Sequence, residues 1–349
     1  MKAESKGTEE LDRLLEQRWL SGIWRIDPRE RTANPKTSVK AHLWKWGDIY
    51  DSLIRARDEI TVKGGSVERR VLRLVNPGVR ETEMTSHTML MSFQLIQPGE
   101  LAPPHRHTMA AIRFILQGKG GYTTVEGRKM VMGPGDLILT PQWTWHEHAH
   151  EGDDPMIWID GLDVPLIQAL QVISFESYPG ERIPLKEAPG PSAFCGMTRP
   201  VHASKEDLPP LHYRWDDTYS ALQRLAGSET DPFEGAALEY MNPLTGGSTL
   251  PTLSCQIQML RPGERTRVHR HTSTSIYHAF RGSGTTVING EAFHWDKGDS
   301  FVVPLWSWHE HANRSSGEEA ILFSMHDTPV LKAFGLYREE RKSESHLGL

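Results

Sequence analysis

The sequence predicts a mainly β fold of two tandem antiparallel barrels, preceded and joined by helical segments. One observation is a long repeat, because residues 97–150 match residues 261–313, and such a repeat indicates a structural unit that is used twice. A second is that each copy consists of short apolar runs separated by Gly, Pro and Asp, as in antiparallel sandwiches and barrels. A third is that helical periodicity falls outside the copies.

The repeat keeps the same residue types at matching positions. The first copy has His105, His107, Gly118, Gly135, Asp136, Trp143, Trp145 and His146, and the second has His269, His271, Gly282, Gly298, Asp299, Trp306, Trp308 and His309. The match extends upstream, because HLWKWGDIYDSL at 42–53 is echoed by HYRWDDTYSAL at 212–222. LVNPG near residue 76 is likewise echoed by YMNPL near residue 242. We therefore interpret the chain as a tandem duplication.

The elements follow in order along the chain. Helical patterns occur in EELDRLLEQRWL, WGDIYDSLIRARDEI, PLIQALQVISF (165–175) and TYSALQRLAG. Strand patterns occur in RFILQ, GYTTVEG and LILTP of the first copy and in TTVING and FVVPL of the second. We expect an N-terminal helical segment at 1–65, a first barrel at 66–170, a connector at 171–250, a second barrel at 251–335 and a polar tail at 336–349.

Composition excludes several classes of protein. A chain of 349 residues suggests two domains, and a net charge of -6 argues against a nucleic-acid binder or a binder of anionic membranes. The cysteines, Cys195 and Cys255, lie far apart and form no CxxC motif, so we expect neither a disulfide framework nor a thiolate metal site. The N-terminus lacks the apolar core of a signal peptide, and no long apolar run suggests a membrane span. We expect a cytoplasmic protein.

The histidines form the strongest candidate site. His105 and His107 are two apart, so on a strand they point to one face, and His146 follows on a later predicted strand. Three imidazoles facing one cavity suit iron, zinc, copper or nickel. His269, His271 and His309 predict a possible second metal site in the same way. The alternative is that these histidines are half-buried sheet residues hydrogen-bonded to their neighbours.

The motifs around these histidines resemble those of the cupin superfamily. PG(x)5HxH(x)10G followed by GD(x)9H occurs twice, so the chain resembles a bicupin, with two double-stranded β-helix (jelly-roll) barrels. The common cupin site adds a glutamate four or five residues after the second histidine, where this chain has Ala111 and Ile112. We therefore expect three neutral histidines that leave the metal several open positions.

A fuller resemblance is to the gentisate 1,2-dioxygenase family, with its salicylate and 1-hydroxy-2-naphthoate relatives. It is carried by NPKTSVKAHLWKWGDIY, VERRVLRLVNPG, APPHRHTMAAIRFILQGKG, GDLILTPQWTWHEH and WIDGLD. The resemblance implies an Fe(II) cofactor, O2 as co-substrate and cleavage between the carboxyl-bearing and hydroxyl-bearing ring carbons, converting gentisate to maleylpyruvate in aromatic catabolism. It also implies a homotetramer.

Three arginines are expected to bind the substrate. A guanidinium matches carboxylate and phenolate oxygens, which gives Arg113, in an otherwise apolar run, a reason to point inward. Arg69 and Arg70 are the other candidates. The second copy has Tyr277, Gly235 and Ala236 at the three matching positions. We therefore assign catalysis to the first barrel and a degenerate site to the second. The alternative for Arg113 is an ion pair with Glu126 or Asp160.

Further roles are assigned around this centre. The resemblance places His148 beside the substrate, where it joins Arg113 as a catalytic candidate. We expect Gln94 to line the cavity, Trp158 to form an apolar wall and Asp160 to orient an arginine or a histidine. The repeated tryptophans, Trp143, Trp145, Trp306 and Trp308, are expected in the core or at an interface.

The ring substituent that is accepted should depend on TMLMSFQ at 88–94, in which Leu90, Met91 and Ser92 depart from the expected residues. Contacts of this kind are each worth about 1 to 3 kcal/mol, enough to move preference from gentisate to another salicylate. Two other classes compete with this reading. One is a bicupin of another reaction class, such as an oxalate decarboxylase or a sugar isomerase, and the other is a non-catalytic binding or storage bicupin.

Overall fold

The computed structural model describes residues 2–27, 31–62, 69–186, 211–228 and 230–342. Cys195, the middle of the predicted connector and the last residues of the predicted tail lie outside the described residues. Residues 1–36 form one compact unit and residues 37–349 another. None of the described helices is long and apolar enough to cross a bilayer.

The prediction of a mainly β protein with two barrels is confirmed. Short 3-10 helices of the described chain cover Ile23–Arg25 and Pro77–Thr82. The α-helices are α1 Lys2–Gln17, α2 Trp46–Glu59, α3 Val164–Ala169, α4 Trp215–Ala226 and α5 Thr328–Ala333. The strands are β1 His42–Trp44, β2 Arg70–Arg73, β3 Leu90–Ile96, β4 Leu101–His107, β5 Ala111–Gln117, β6 Gly121–Val125, β7 Arg128–Val131, β8 Leu137–Thr140, β9 His146–His150, β10 Met156–Leu162, β11 Phe175–Ser177, β12 His212–Tyr213, β13 Ala236–Glu239, β14 Ser254–Leu260, β15 His269–His271, β16 Ser275–Arg281, β17 Ser283–Ile288, β18 Glu291–Asp296, β19 Ser300–Val303, β20 His309–Asn313, β21 Ala320–His326 and β22 Glu339–Arg341.

Each barrel consists of two antiparallel sheets. The sheets of the first barrel have the orders β12-β8-β5-β10-β3-β2 and β11-β4-β9-β6-β7. Those of the second have the orders β1-β19-β16-β21-β14-β13 and β18-β17-β20-β15-β22. Strand β22 lies within the stretch expected as a polar tail, where it pairs with β15.

The helix predicted at 165–175 is shorter than expected. Helix α3 ends at Ala169, and Gln171 adopts a left-handed φ of 57°, which breaks the helical path. Phe175 then begins strand β11, which pairs with β4. Residues 170–174 of the predicted helix are therefore a turn and an irregular segment, and its last residue, Phe175, begins an edge strand beside the histidine strand.

The two barrels share one hydrophobic core. Its buried residues come from both copies of the repeat. Phe114 of β5 stacks on Phe323 of β21, with ring centroids 4.1 Å apart and planes 7° apart. Burial of this kind contributes about 1.5 to 3 kcal/mol for each large apolar side chain, so the contact holds the two barrels together.

The barrels also exchange edge strands. Strand β1, from the segment before the first barrel, pairs with β19 of the second barrel. Strand β12, from the connector, pairs with β8 of the first barrel. Strand β1 therefore completes a sheet of the second barrel although the first barrel follows it in the chain. Strand β12 completes a sheet of the first barrel although the second barrel follows it.

The repeated Gly-Asp pairs hold the helices that follow these exchanged strands. Asp136 Oδ1 accepts a hydrogen bond from the backbone N–H of Trp215 at 2.8 Å, and Asp299 Oδ1 accepts one from Trp46 at 2.8 Å. A Cβ on Gly135 would lie 2.5 Å from the Trp215 ring, so the helix packs against a position that only glycine permits. The Gly-Asp motif thus has a structural role.

Candidate functional site

Three histidines of the first barrel converge as the sequence predicted. His105 and His107 lie on β4, and His146 begins β9, directly opposite His105. Each of the three offers a ring nitrogen within 4.8 Å of the others, and all three side chains are buried. The arrangement is that of ligands around one metal ion.

Backbone oxygens orient these three rings. The Nδ1 atoms of His105, His107 and His146 lie 2.7, 2.9 and 2.9 Å from the backbone oxygens of Pro103, Met109 and Thr144, respectively. Because a carbonyl oxygen only accepts, we assign the proton of each ring to Nδ1. The Nε2 atoms are then the unprotonated nitrogens, and that of His105 lies 3.5 Å from Arg69 Nη1. Hydrogen bonds at Nδ1 of this type orient metal ligands.

The histidines are held neutral. Burial, followed by the charge of Arg69, lowers the pKa of His105 to about 3. Burial also lowers the pKa of His107 and, more strongly, that of His146. Neutral imidazole is the form that binds a metal.

The arginine between the two β4 histidines ties that strand to its surroundings. Arg106 lies between Trp143 and Trp145, with its Cζ 4.5 and 4.4 Å from the two ring centroids. It also pairs with Glu176 of β11 at 2.6 Å. The second barrel repeats this arrangement with Arg270, Trp306, Trp308 and Glu340.

The expected core position holds for one of these tryptophans and fails for another. Trp306 is 8 % exposed and buried, whereas Trp143 is 40 % exposed, which is too open for the core. Cation–π contact requires only that the guanidinium lies over the ring face. The His-Arg-His and Trp-x-Trp-His patterns together were the signal for this contact.

A cavity of about 450 Å³ opens beside the three histidines. Its walls come mainly from alternate residues of β2, β3, β5 and β10, which face one side of their sheet. The lining consists of Arg69, Val71, Arg73, Leu90, Ser92, Gln94, His107, Ala111, Arg113, His146, Asp160 and Leu162. The volume is within the range of sites for small molecules.

Arg113 lines this cavity and is also paired. Its Nη2 lies 2.6 Å from Asp160 Oδ1, and its Nη1 donates to Thr123 Oγ1 at 3.2 Å. The ion pair with Asp160 that we considered as an alternative is therefore present. Glu126, the other carboxylate considered, instead accepts from the backbone N–H of Trp145 at 2.7 Å.

His148 lies next to Arg113 with a fixed tautomer. Its Nδ1 is 3.1 Å from Arg113 Nη1, and a guanidinium can only donate. We therefore assign Nδ1 as the acceptor and place the ring proton on Nε2. Within the described part of the chain, this buried Nε2 has no hydrogen-bond partner. Burial, followed by the charge of Arg113, holds the pKa of His148 well below its usual range.

Two other predicted residues lie at different depths. Gln94 lines the cavity, and its buried Oε1 has no hydrogen-bond partner among the described residues. Trp158 is fully buried, donates from Nε1 to Asp160 Oδ2 at 3.0 Å and lies under Arg113. Trp158 is not among the residues of the cavity wall, so it stands behind the Arg113–Asp160 pair rather than forming the apolar wall that we expected.

Arg70 does not belong with the other arginines, which corrects our expectation. Its Nη1 donates to both carboxylate oxygens of Glu100 at 2.8 Å, and its Nε donates to the backbone oxygen of Ile60. Successive residues of a strand point to opposite faces. Arg69 faces the cavity, with Nη1 3.5 Å from His105 Nε2, and Arg70 faces away from it.

The same alternation along the strand divides the residues of TMLMSFQ between the cavity face and the core face. Leu90 and Ser92 line the cavity, whereas Met91 is fully buried in the shared core. It also reveals two cavity residues that the sequence analysis missed, Val71 and Arg73 of β2. Their positions two and four residues after Arg69 were the available signal.

The second barrel also brings its histidines together. His269, His271 and His309 offer ring nitrogens within 4.8 Å of one another. At the positions of Arg113 and Asp160, this barrel has Tyr277 and Ser324, which face each other across β16 and β21. The buried ion pair of the first barrel is therefore replaced by two uncharged side chains.

Comparison with known proteins agrees with this geometry. The cupin domain model matches residues 92–164 and 256–326. The chain is 45 % identical over 316 residues to 5-aminosalicylate 1,2-dioxygenase of Comamonas sp, a match that covers 88 % of this chain and 83 % of that protein. It is 35 % identical to gentisate 1,2-dioxygenase 1 of Aquipseudomonas alcaligenes, over 97 % of this chain and 98 % of that protein.

A solved structure is also similar over nearly the whole chain. It is salicylate 1,2-dioxygenase from Pseudoaminobacter salicylatoxidans as an adduct with gentisate, at a TM-score of 0.85 and 32 % identity. The match covers 97 % of this chain and 94 % of that one.

Proposed function

Because this chain belongs to the bicupin family of gentisate and salicylate 1,2-dioxygenases, we propose that it is an Fe(II)-dependent dioxygenase that opens gentisate. The bond that breaks joins the carboxyl-bearing and hydroxyl-bearing ring carbons. Both atoms of O2 enter the product, maleylpyruvate. The observation that carries the proposal is the cavity beside the cluster of three neutral histidines, with His107, His146 and three arginines in its wall.

The donor set fits the proposed iron. His105, His107 and His146 present Nε2 lone pairs, and imidazole is a ligand that suits iron. Neutral ligands leave a divalent ion its full charge, which favours a substrate that carries a carboxylate and an ortho phenolate. When bound, the iron supplies a Lewis acid and a template for the substrate and O2.

The side chains around the centre bind and orient the substrate. Arg69 and Arg113 supply the positive charge that a carboxylate and a phenolate require, and a guanidinium fork matches such oxygens. Asp160 and Thr123 hold Arg113 in place. Gln94 Oε1 is buried and has no partner among the described residues, so a substrate hydroxyl can donate to it without breaking an existing bond.

His148 is proposed to hold a proton at Nε2. Its Nδ1 is occupied by Arg113 and Thr123, which leaves Nε2–H to donate to oxygen atoms that gain charge during ring opening. Proton donation by a positioned side chain typically contributes 10² to 10⁴ in rate, to order of magnitude. The role of His148 is therefore catalytic, whereas Trp158 acts by positioning Arg113 and Asp160.

A second candidate substrate is 5-aminosalicylate. It is favoured by the relative of that name, which is 45 % identical to this chain. Gentisate and 5-aminosalicylate differ only at the ring carbon para to the hydroxyl group that neighbours the carboxylate. Gentisate has a second hydroxyl there, and 5-aminosalicylate has an amino group. Leu90, Ser92 and Arg73 of the cavity wall are the residues that would contact this group.

The test is O2 uptake by anaerobically purified, Fe(II)-loaded protein with gentisate, 5-aminosalicylate and salicylate in turn. We expect the highest kcat/KM with gentisate and stoichiometric formation of maleylpyruvate. A higher kcat/KM with 5-aminosalicylate would select the second candidate. No uptake with any of the three at full iron occupancy would contradict ring cleavage of this class.

We also propose a cytoplasmic homo-oligomer, with a tetramer as the expected state. Support for association comes from apolar side chains that are exposed in the unit of residues 1–36, namely Trp19, Leu20, Ile23 and Trp24. Trp19 is 97 % exposed, and large exposed apolar groups of this kind mark interaction sites. Light scattering at micromolar concentration tests the state, and a monomer would contradict it.

A further inference from the structure

The second barrel holds a histidine cluster that is separate from the proposed active site. His269, His271 and His309 are all buried. The Nδ1 atoms of His271 and His309 lie 2.9 Å from the backbone oxygens of Ser273 and Ser307. As in the first barrel, this assigns the ring protons to Nδ1 and leaves the Nε2 lone pairs facing one another.

Two of these nitrogens, the Nε2 atoms of His269 and His309, have no hydrogen-bond partner within the described part of the chain. His309 is 1 % exposed, so its lone pair is also shielded from water. Buried polar groups in native proteins are nearly always paired, and an exception often marks an ion or water that completes the site. A metal ion would take this lone pair.

A carboxylate lies beside the cluster. Glu234 Oε1 is 3.1 Å from His269 Nε2. Two ligand atoms bound at about 2.1 Å to one metal lie about 3 to 3.4 Å apart. The two side chains therefore have the spacing of neighbouring ligands. Glu234 lies outside the set of donor atoms that are all within 4.8 Å of one another, so it becomes a fourth donor when its side chain turns toward the ion.

The backbone is built to place Glu234 there. Asp231 Oδ1 accepts from the backbone N–H groups of Phe233 and Glu234 at 2.7 and 3.1 Å. Gly235 follows with a left-handed φ of 64°, which glycine adopts without strain. Gln258 Nε2 donates to the backbone oxygen of Glu234 at 2.6 Å. The turn that carries the carboxylate is thus fixed on both sides.

Among the described residues, the charged side chains nearest to the two equivalent histidines carry opposite charges. In the first barrel, Arg69 brings a cation to 3.5 Å from His105, and in the second, Glu234 brings a carboxylate to the matching His269. Arg113 is likewise replaced by Tyr277, which is buried and stacked on Phe301. The first centre is therefore suited to an anionic substrate, whereas the second is suited to the cation alone.

We infer that the second barrel binds a divalent first-row transition-metal ion through His269, His271, His309 and Glu234, as a structural centre that does not turn over. Imidazole and carboxylate together are donors that such ions accept. In this centre Glu234 takes one of the ion's coordination positions, which leaves fewer for a substrate and O2. The bound ion stabilises the second barrel by tying the turn at 231–235 to β15 and β20.

The test counts metal in chelator-treated protein that is titrated anaerobically with Fe(II) and then desalted. We expect two ions per chain in the wild type and one in the H105A/H146A variant, which keeps the second cluster. E234Q should weaken binding at the second centre by about tenfold or more, since even indirect partners of metal ligands have effects of this size. E239Q, which changes an exposed glutamate on the adjoining strand β13, is the matched control and should bind as the wild type does.

The H105A/H146A variant also tests the structural role. Its thermal midpoint should rise by several degrees with Fe(II), it should consume no O2 with gentisate, and adding E234Q should reduce the rise. One ion per chain in the wild type, or none in H105A/H146A, would overturn the site. O2 uptake by H105A/H146A would overturn its assignment as structural. The metal count does not depend on wild-type turnover, so it stands apart from the proposed ring cleavage.

Discussion

At the scale of single residues, the site depends on which buried polar groups are already paired. Arg113 is held by Asp160 and Thr123, whereas Gln94 Oε1 and His148 Nε2 lack partners among the described residues. A held cation and unpaired polar atoms in one cavity form a binding site prepared for an anionic, hydroxylated ligand. The sequence indicated the residue types, but pairing depends on contacts between strands that are distant in the chain.

The first prediction concerns the Arg113–Asp160 pair. R113M should lower kcat/KM for gentisate by about 100-fold, because hydrogen bonds to charged groups contribute about 1.5 to 3 kcal/mol. It should also lower the free energy of unfolding by about 3 to 5 kcal/mol, since it leaves a buried carboxylate unpaired. Steady-state kinetics and urea titration measure the two effects.

The second barrel supplies the control for this prediction, because it has Tyr277 and Ser324 at the same positions. The double variant R113Y/D160S should recover most of the lost stability and remain inactive. If R113Y/D160S regained activity along with stability, the charge of Arg113 would not be needed for the reaction.

The second prediction separates His148 from its counterpart. H148N keeps an acceptor near Thr123 and Arg113 but cannot place a donor where Nε2–H lies. We expect kcat to fall by about 100-fold or more, with the iron content of the first centre unchanged. H311N is the control, because His311 is the matching histidine of the second barrel. Its Nδ1 lies 2.8 Å from the hydroxyl oxygen of Thr286, as His148 Nδ1 lies 3.0 Å from that of Thr123. A similar loss of kcat in H311N would show that the effect is structural.

At the scale of elements, strand alternation decides which residues reach the substrate. Arg69, Val71 and Arg73 face the cavity from one side, and Leu90, Ser92 and Gln94 face it from another. The sequence analysis named the correct strands but grouped Arg70 with Arg69 and Met91 with Leu90. Register within a strand follows from the pairing partners, which a single sequence does not provide.

The third prediction uses two neighbours on β3. M91A should leave the ratio of kcat/KM between 1-hydroxy-2-naphthoate and gentisate unchanged and should cost about 2 to 5 kcal/mol of stability, because Met91 is core. L90A enlarges the cavity wall and should raise that ratio by about tenfold, within the range of contacts in a pocket. Kinetics on both substrates and thermal unfolding check the pair. A change of the ratio in M91A as large as that in L90A would contradict the assignment of faces.

At the scale of the whole molecule, much of the fold and part of the site could be predicted from the sequence. The repeat predicted two barrels and both histidine clusters, because HxH on a strand fixes a face whatever surrounds it. The exchange of β1 and β12 between barrels, the Arg106–tryptophan contact and the carboxylate of Glu234 were not predicted. The strand exchange and the carboxylate depend on where segments outside the copies come to lie, and residues 97–150 and 261–313 contain no information about those positions. The Arg106–tryptophan contact lies within the copy, where the His-Arg-His and Trp-x-Trp-His patterns were a signal that the sequence analysis did not use.

The two barrels are also joined by a pair of equivalent buried aspartates. Asp163 Oδ2 accepts from Thr252 Oγ1 of the second half at 2.6 Å, and Asp327 Oδ2 accepts from Thr88 Oγ1 of the first half at 2.6 Å. Burial raises the pKa of each carboxyl to about 6, against the lowering effect of these hydrogen bonds. Burial outweighs the hydrogen bonds, so the folded state is most stable while both carboxyls are protonated.

The fourth prediction is the pH dependence that follows from these two groups. Because the folded pKa lies above the unfolded value of about 3.9, the folded state binds more protons between about pH 4 and pH 6. Their contribution to stability is therefore complete below pH 4 and is lost as the pH rises through 6, by about 3 kcal/mol for each group. Relative to D327N, the wild type should lose about 3 kcal/mol of its free energy of unfolding between pH 4 and pH 7. Above pH 7 the difference between the two proteins should change little.

Urea titrations of both proteins across this range measure the difference in free energy of unfolding, and the titration of the metal histidines cancels because both proteins share it. The difference in free energy of unfolding between the wild type and D163N/D327N should change with pH by about twice as much as the difference between the wild type and D327N. D153N, at an exposed position, should show none. A constant difference between wild type and D327N would mean that Asp327 is ionised in the folded state throughout, and the two barrels would then be joined by charged contacts.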